Sequence, residues 1–261
     1  MVGQKSMQTG TQAIDRAAQL LVLVVERDEP SSVSELALAA GLPKSTVSRA
    51  VSALERQGLV QRSTARGAVR PGPVLLRLAR RGVGEADIVE LCTPALQRLG
   101  ERTGETVDLA VPVPGGREQY LAQVDSRHFL GTTNWVGRRL PHHCTAVGKV
   151  LIAFGAARLA RGPLPRLAPD TITDRSTLEA QLDTVRACGY ATAIGELEPG
   201  LVALAAPVLG ADGRALAAIS ISGPAIRIGP GRIEEFAAMV TEETTALSAR
   251  LGHTPPKEGA A

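Results

Sequence analysis

The stretch "GLPKSTVSRAVSALERQGLV" constrains the fold of this 261-residue chain more than any other segment. Within residues 44–57, the apolar residues Val47, Val51 and Leu54 stand at the spacing i, i+4 and i+7. That spacing predicts an amphipathic helix with one buried face. The opposite face carries hydroxyl and basic side chains, as expected of a helix that enters the major groove of DNA.

The segments on either side predict a winged helix-turn-helix. Residues 11–28 have helical apolar spacing at positions 14, 17, 18, 21, 24 and 25. Ser32 stands three residues before Glu35, the spacing of a capping box, and Gly41 is a typical helix stop. After the 44–57 helix, "LVQRSTARGAVRPG" predicts two short strands around a turn at residues 65–67.

The side chains expected to contact DNA lie on the second helix of this motif and on the hairpin. Arg49 has the planar fork that binds the O6 and N7 atoms of guanine, and Ser45 and Thr46 can donate to phosphates or bases. Backbone N–H groups at the start of the helix suit a phosphate. The full predicted set is Ser34, Lys44, Ser45, Thr46, Ser48, Arg49, Ser52, Arg62, Arg66 and Arg70.

The charge distribution agrees with a nucleic-acid module at one end. Residues 1–82 hold 12 Lys and Arg against 6 Asp and Glu, a net charge of +6, whereas residues 83–261 hold 17 against 20, a net of −3. Aromatic residues make up only 2%, which argues against a single-stranded nucleic-acid binder that stacks bases on aromatic rings.

The chain is expected to reside in the cytoplasm. No apolar run reaches the roughly 18 residues of a membrane span, so no membrane partner is expected. The first residues, "MVGQKSMQTGTQ", lack the apolar core of a signal peptide. The three cysteines are scattered without a CxxC pair, which favours reduced thiols over disulfides or a zinc site.

The remainder predicts a linker and a second, α+β domain. We place the winged helix-turn-helix at 8–72, a linker helix at 73–84, the second domain at 85–252 and a disordered tail at 253–261. Periodic apolar residues over 85–102 predict a helix, and "TVDLAVPV" and "EQYLAQVD" predict paired strands around "PGG".

Further helices and strands complete this second domain. "CTAVGKVLIAFG" predicts a short helix, and "STLEAQLDTVRACG" another that is capped by Ser176 with Glu179 three residues on. Three strand-like runs, "YATAIGEL", "GLVALAAPVLG" and "ALAAISISG", precede the closing helix "GRIEEFAAMVTEETTALSARLG". Helices that bracket strands without βαβ alternation predict an antiparallel sheet packed by helices.

These motifs together resemble the isocitrate-lyase-regulator (IclR) family of bacterial transcription factors. The resemblance rests on "SVSELALAAGLPKSTVSRAVSALERQGLV", "PALQRLGERTGETVDLAV", "VGRRLPHHCTAVGKVLIAF", "GYATAIGELEPGLVALAAPV" and "AAISISGP", and covers roughly residues 11–252. It implies a DNA-binding winged helix, a linker helix and a GAF-like domain that binds a small-molecule effector. It also implies a homodimer or homotetramer that represses, or less often activates, transcription from a double-stranded operator.

The same resemblance implies where the effector binds. The pocket is built from the start of the helix in "HCTAVGK", from the strand pair in "GYATAIGELEPGLVALAAPV" and from the "SIS" strand. A helix N-terminus beside two hydroxyls at i and i+2 suits a carboxylate. The residues so implied are Thr145, Ala146, Val147, Gly148, Ala193, Glu196, Ala203, Ser220, Ile221 and Ser222.

The sequence departs from the family pattern in the pocket and in the wing. Relatives that bind small acids commonly have an acidic residue at the position of Ala193 and a cysteine at that of Ala203. Alanine at both predicts a larger or more apolar effector than a two- or three-carbon keto acid. In the wing, Val69 and Pro71 replace the aromatic-bearing strand that usually ends in "LG".

Other functions that single residues suggest are not favoured. Adjacent His142 and His143 in an extended segment would point opposite ways, which disfavours a shared metal. "AVGK" lacks the glycine of a phosphate-binding loop, so no cofactor is expected. Cys144 and Cys188 are expected to be buried or pocket-lining thiols, and Cys92 to lie in the core.

Two other classes of function remain open. The second domain could serve only to oligomerise a DNA-binding protein, or it could be an enzyme on a regulator scaffold. Glu196 and the nearby Glu198 are expected in a loop beside the pocket, where they select the ligand or face solvent, and not as an acid–base pair. We therefore predict a regulator without enzymatic activity.

Overall fold

The computed structural model describes residues 7–27, 29–63, 67–81, 84–159 and 161–254. The chain divides into two compact units, Met1–Val83 and Gly84–Ala261, called here the N-terminal and the C-terminal unit. The predicted linker boundary and most of the predicted tail fall on residues 82–83 and 255–261, outside the described residues. No helix within the described ranges has both the length and the apolar character needed to cross a membrane.

The N-terminal unit is a winged helix-turn-helix, as predicted. Its elements are α1 Met7–Val25, α2 Val33–Ala40, α3 Lys44–Arg56, β1 Val60–Arg62, β2 Val69–Pro71 and α4 Pro73–Arg81. Strands β1 and β2 pair antiparallel, with Val60 opposite Pro71. The segment that joins them includes residues 64–66, and the predicted turn and Arg66 therefore lie largely outside the described residues.

Local sequence signals set the ends of α2. The Ser32 hydroxyl accepts a hydrogen bond from the Glu35 N–H at 3.2 Å, and the Glu35 carboxylate accepts one from the Ser32 N–H at 2.7 Å. The predicted capping box is thereby confirmed. Gly41 ends the helix at φ 63°, a left-handed conformation that glycine adopts without a steric penalty. The turn into α3 is therefore fixed by a cap at one end of α2 and a glycine at the other.

The core of the N-terminal unit confirms the predicted inner face of α3 but corrects that of α1. Val47, Val51 and Leu54 are buried with Leu20, Val24, Leu36, Val60 and Val69. Of the predicted apolar positions of α1, Ala17, Leu21 and Val24 pack in this core, whereas Ile14 is 69% exposed and Leu20, which was not predicted, is fully buried. The run "LLVLVV" is apolar on every side, and its periodicity cannot identify the buried face. α1 also ends at Val25, three residues before the predicted end.

The C-terminal unit confirms the predicted α+β fold. Its elements are α5 Glu85–Thr103, β3 Thr106–Val113, β4 Arg117–Val124, β5 Arg139–Pro141, α6 Ala146–Ala153, α7 Arg175–Cys188, β6 Ala191–Ile194, β7 Leu201–Leu209, β8 Ala215–Pro224 and α8 Pro230–Arg250. One antiparallel sheet runs in the order β5-β4-β3-β8-β7-β6. A short 3-10 turn at His142–Cys144 precedes α6.

Two cores lie on the two faces of this sheet. One packs the sheet against α5 and α8, with residues such as Leu99, Ile219, Ile221 and Val240. The other packs it against α6 and α7, through Val150, Leu151 and Val185 among others. Because helices cover both faces, side chains on both faces of the central strands are buried.

Two local predictions in this unit are corrected. Asp174, and not Ser176, caps α7: its carboxylate accepts a hydrogen bond from the Thr177 N–H at 2.8 Å. A carboxylate is a good N-cap, and Ser176 instead donates its hydroxyl to Asp174 at 2.5 Å. The edge strand β5 was not predicted, because the polar run around Arg139 lacks alternating apolar residues.

Candidate functional site

The outward face of α3 is a stripe of polar and basic side chains. At about 100° per residue, Ser45, Arg49, Ser52 and Arg56 lie opposite the buried face of Val47. Ser45, Arg49 and Arg56 are exposed, and Ser52 is partly buried. Arg56 was missed in the sequence analysis, although its spacing of i+7 from Arg49 places it on the same face. The stripe presents two guanidinium groups and two hydroxyls.

The start of α3 adds backbone donors to this stripe. Its N-cap is Pro43, which makes no side-chain cap hydrogen bond. The first N–H groups of a helix have no partner within it, so those of Lys44 and Ser45 are free for an anion. Lys44 is exposed, and Thr46 and Ser48 are partly buried at the flanks. Ser34, in the first turn of α2, is exposed as well.

A cluster of polar side chains joins the wing, the β1–β2 hairpin, to α3. The Arg62 guanidinium donates to the Ser52 hydroxyl at 3.2 Å and lies 3.5 Å from a Glu55 carboxylate oxygen. The Arg62 N–H also donates to Glu55 at 3.2 Å. Of the predicted DNA contacts, Ser52 and Arg62 thus bind each other, whereas Arg70 on β2 is exposed. Arg62 therefore has a role in orienting the hairpin.

A cavity in the C-terminal unit lies between the sheet and the start of α6. About 420 Å³ of space lies between its lining atoms, including space open to solvent, and about 30 Å³ is accessible to the centre of a water molecule. Its lining comprises Asp108, Tyr120, Trp135, Cys144, Thr145, Ala146, Val147, Ala193, Leu197, Leu201, Ala203, Ser220 and Ser222. Seven of the ten predicted effector-binding residues are in this set: Thr145, Ala146, Val147, Ala193, Ala203, Ser220 and Ser222.

The three remaining predicted residues lie outside the lining, each for a physical reason. Ile221 is buried in the core with α5 and α8, since successive side chains of a strand alternate between faces. Gly148 lies against the backbone of His142, where an added Cβ would be 2.2 Å from the His142 Cα. Glu196 is buried and paired with Lys149.

Sheet register gives the cavity a polar and an apolar end. Asp108 on β3 pairs with Ser220 on β8, and Ser222 occupies the next position on the same face. Across β8, Ser222 pairs with Ala203 on β7, which in turn pairs with Ala193 on β6. The hydroxyls and the carboxyl therefore lie toward the centre of the sheet, and the alanine pair lies toward its edge.

The N-terminus of α6 forms one wall of the cavity. The Thr145 hydroxyl caps the helix by accepting from the Gly148 N–H at 3.0 Å, and it donates to the Glu118 carboxyl at 2.5 Å. Because the cap uses the N–H of Gly148, those of Ala146 and Val147 remain as the free donors of the helix start. This wall can therefore bind an anion or a carbonyl oxygen.

Two aromatic rings form another wall, which sequence analysis did not predict. The rings of Tyr120 and Trp135 have centroids 6.2 Å apart. Gln123 on β4 holds the Trp135 segment, because its side-chain oxygen accepts from the Trp135 N–H at 2.9 Å. Trp135 lies in an irregular segment between β4 and β5, and no local sequence pattern signals its position. It is the chain's one tryptophan.

A buried ion pair joins α6 to the segment that follows β6. The Lys149 ammonium donates to the Glu196 carboxylate at 2.5 Å and to the Thr192 carbonyl at 2.9 Å. Lys149 is only 1% exposed, and burial is the main cause that lowers its pKa. The Glu196 carbonyl in turn accepts from the Thr171 hydroxyl at 2.6 Å. These bonds fix the segment from which Ala193 and Leu197 line the cavity.

Burial keeps two acids near the cavity largely protonated at neutral pH. It raises the pKa of Asp108 and that of Glu118 to about 8 each. Burial also lowers the pKa of His142 to about 4, so His142 is neutral. The contact of 3.6 Å between His142 and Glu118 is therefore not an ion pair, and it is too long for a strong hydrogen bond.

The cysteines do not have the surroundings of catalytic thiols. Burial raises the pKa of Cys144 to about 12, so the thiolate that a nucleophile requires is scarce. Cys92 lies in the core, as predicted, and Cys188 is exposed but lines a surface pocket together with Thr184 and Tyr190. Within the described residues, no group of three or more His, Cys, Asp or Glu side chains has an arrangement that could hold a metal ion.

The raised pKa of Asp108 predicts a pH dependence of stability. Because the folded-state pKa is about 8 and the ordinary value is 3.8, its contribution is fully present below pH 3.8 and is lost as the pH rises toward 8. Over pH 6.5–8, stability should therefore fall, by up to about 1.4 kcal/mol per pH unit from this group. Asp108→Asn should flatten that slope in urea unfolding followed by Trp135 fluorescence.

The matched control for this experiment is Asp183→Asn, since Asp183 is exposed on α7. It should keep the slope of the unaltered chain. Equal slopes for Asp108→Asn and the unaltered chain would contradict the prediction. Glu118→Gln should act like Asp108→Asn, because burial raises both pKa values in the same direction.

Sequence profiles of two families match this chain. Residues 13–64 match the family described as "IclR helix-turn-helix domain". Residues 81–249 match the family described as "Bacterial transcriptional regulator IclR C-terminal". The first match covers α2, α3 and most of α1, and the second covers the sheet and the cavity.

Known proteins are similar over nearly the whole chain. The HTH-type transcriptional repressor AllR of Klebsiella pneumoniae is 31% identical over 257 residues, 97% of this chain and 94% of that one. The crystal structure of the Agrobacterium tumefaciens repressor BlcR superposes with a TM-score of 0.69 at 29% identity, covering 93% of this chain and 98% of that one. An IclR homolog from Microbacterium hydrocarbonoxydans complexed with 4-hydroxybenzoate gives a TM-score of 0.58 at 25% identity, covering 92% of this chain and 98% of that one.

Proposed function

Since the chain belongs to the IclR family of bacterial transcriptional regulators, we propose that it is a repressor that a small-molecule effector controls. One observation carries the proposal: the same chain has a basic, solvent-facing helix in one unit and a built cavity in the other. The effector binds in the cavity of the C-terminal unit and changes the affinity of the N-terminal unit for operator DNA. The binding of DNA and the binding of the effector are then thermodynamically coupled.

The DNA-binding part of the proposal rests on α3 and the wing. Arg49 reads a base in the major groove, and Lys44 and the free N–H groups at the start of α3 bind a phosphate. Arg56 and Arg70 bind the backbone on either side, together with Arg66. Two such units in a homodimer bind a pseudo-palindromic site, and a homotetramer forms when the C-terminal units also associate. The protein acts in the bacterial cytoplasm.

The effector is proposed to be a carboxylate or a partly apolar metabolite. The wall of Ala193, Ala203, Leu197 and Leu201 favours a body larger and more apolar than a two- or three-carbon keto acid. The relative with bound 4-hydroxybenzoate supports an effector of that kind. Tighter binding of glyoxylate or pyruvate than of any bulkier acid would contradict this size class.

Arg49→Ala should weaken operator binding by about 1–3 kcal/mol and relax the base preference at one position of each half-site. The cause is the loss of a bidentate contact to a guanine. The measurement is the affinity of the full chain for a duplex selected from a random pool, compared with single-base variants of that duplex, at fixed salt.

The matched control for this measurement is Arg16→Ala, because Arg16 is a basic residue of α1, outside the helix-turn-helix pair α2–α3, and has no ion-pair partner among the described residues. It should leave both affinity and base preference unchanged. A loss of equal size on every sequence would make Arg49 a phosphate contact. No loss at all would remove α3 from the interface.

The effector proposal is tested by linkage between the two ligands. A thermal-shift screen of small metabolites on the full chain yields candidates, and each is added to the DNA-binding assay. Any true effector should change DNA affinity, and operator DNA should change the affinity of the effector by the same factor. Independent binding of the two would overturn the proposal and favour a C-terminal unit that only oligomerises. Turnover of a candidate, abolished in Cys144→Ala, would favour an enzyme.

A further inference from the structure

The polar end of the cavity holds a buried acid with an unused oxygen. Asp108 is 1% exposed in the middle of β3. Its Oδ2 accepts a hydrogen bond from the Ser222 hydroxyl at 3.4 Å, whereas its Oδ1 has no hydrogen-bond partner among the described residues. A buried carboxyl oxygen without a hydrogen-bond partner is costly in a folded protein, so such an atom in a cavity wall indicates that a bound molecule supplies the partner.

Two polar side chains near the cavity, those of Gln123 and Thr145, already have hydrogen-bond partners. Gln123, which pairs with Asp108 across β4, donates its amide to Asp125 at 2.7 Å and accepts from the Trp135 N–H. The Thr145 hydroxyl donates to Glu118. Neither side chain can turn to Asp108 without breaking an existing bond.

The charge of the cavity also favours a donor at this end. The lining residues, all of which the structure describes, include no Lys, Arg or His. An anion beside the ionised Asp108 carboxylate would meet a second negative charge and no cation, a pairing that disfavours binding. An anionic group is accommodated elsewhere, at the free N–H groups of Ala146 and Val147.

We propose that the effector carries a hydrogen-bond donor, a hydroxyl or an amine, that binds Oδ1 of Asp108, and that Asp108 selects it against molecules of equal size with acceptors alone. The inference rests on the proposed function and narrows its effector class. The donor faces the Asp108 and Ser222 end, and the apolar body packs on Ala193 and Ala203. Burial raises the pKa of Asp108 to about 8, so above that pH the carboxyl is ionised and both of its oxygens only accept hydrogen bonds, from a hydroxyl or from an ammonium group.

Fluorescence of Trp135 gives a direct readout, because it is the chain's one tryptophan and lines the cavity. The full chain is titrated at about pH 9, above the pKa of Asp108, with four probes that share one ring: cyclohexanol, cyclohexylamine, cyclohexanone and cyclohexanecarboxylate. At least one donor probe should bind about tenfold or more tightly than the ketone. Tighter binding of the alcohol than of the amine indicates that the donor is neutral. Tighter binding of the amine indicates a cationic donor that pairs with the ionised Asp108 carboxylate.

Two variants test whether Asp108 causes the preference for donor probes over the ketone. Asp108→Ala should reduce the difference between the donor probes and the ketone to less than about twofold. Asp108→Asn keeps a carbonyl oxygen and should retain the alcohol while losing any preference for the amine. Asp183→Asn, an exposed acid on α7, serves as the control and should match the unaltered chain. Far-UV circular dichroism establishes that each variant is folded.

Three results would each overturn the inference. In the first, cyclohexanone and cyclohexanol bind equally tightly. In the second, the carboxylate binds tightest and Asp108→Ala does not change its affinity. In the third, no probe binds at concentrations up to about 10 mM. The proposed function fails separately, when no small molecule changes DNA affinity. An effector that releases DNA equally from the Asp108→Ala variant would leave the proposed function standing and refute the inference alone.

Discussion

Replacing Lys149 with methionine should lower the free energy of unfolding of the C-terminal unit by about 3–5 kcal/mol. The Glu196 carboxylate, which is buried, would lose its only cation within the described residues, and an unpaired buried charge is costly. Urea unfolding of the full chain, followed by Trp135 fluorescence, measures the effect, because the single tryptophan lies in this unit.

A double variant separates the charge from the packing. Lys149→Met with Glu196→Gln should recover much of the lost stability, since no charge is then left buried. The control is Arg102→Met, which breaks the exposed Arg102–Glu242 pair and should cost no more than about 1 kcal/mol. A loss for Lys149→Met no greater than for Arg102→Met would show that the buried pair contributes little.

Replacing Gly148 with alanine should destabilise the same unit by about 3 kcal/mol or more. The added Cβ would stand 2.2 Å from both the Cα and the carbonyl oxygen of His142, so the backbone of the 3-10 turn or of α6 must move. Because α6 begins at the cavity wall, the Trp135 emission of the folded variant should shift as well. The measurement combines urea unfolding with the emission spectrum without denaturant.

Gly231→Ala is the matched control for Gly148→Ala. Gly231 lies in the first turn of α8, and an added Cβ there would meet no heavy atom within 4 Å. Alanine should stabilise that turn by about 0.5–1 kcal/mol, since glycine has the lower helix propensity. A loss for Gly148→Ala no larger than about 0.5 kcal/mol would mean that the His142 backbone relaxes without cost.

The N-terminal unit could be predicted well because its signals are local. The capping box of Ser32 and Glu35 and the stop at Gly41 act within a few residues, so the sequence contains both ends of α2. The apolar spacing of α3 is unambiguous because its other positions are polar or alanine. In α1 the positions around Leu20 are apolar on every side of the helix. That Leu20 is buried and Ile14 is exposed is therefore determined by tertiary packing.

The cavity could be predicted only in part, because it depends on register between distant strands. The alternation of side chains in "SIS" excludes Ile221 from the face that holds Ser220 and Ser222, and the same rule places Asp108 on that face. That Asp108 would be buried follows only when helices are known to cover both faces of the sheet. Trp135 reaches the cavity through a hydrogen bond to Gln123, and no periodic pattern encodes that contact.

The Lys149–Glu196 pair shows the limit of reading charges from sequence. The two residues are 47 positions apart, and lysine is among the residues least often buried. Glu196 was assigned to a loop that selects the ligand, and the structure shows it bound to Lys149. The pair therefore positions the backbone segment from which Leu197 lines the cavity.

The Ala193–Ala203 pair joins the edge strand β6 to its single neighbour, whereas the polar end of the cavity is formed by the two central strands β3 and β8. A side chain at the edge can change volume with little disturbance to the main core on the other face of the sheet. Under the proposed function, substitutions at these two alanines would change which effector binds while leaving every residue of the N-terminal unit as it is.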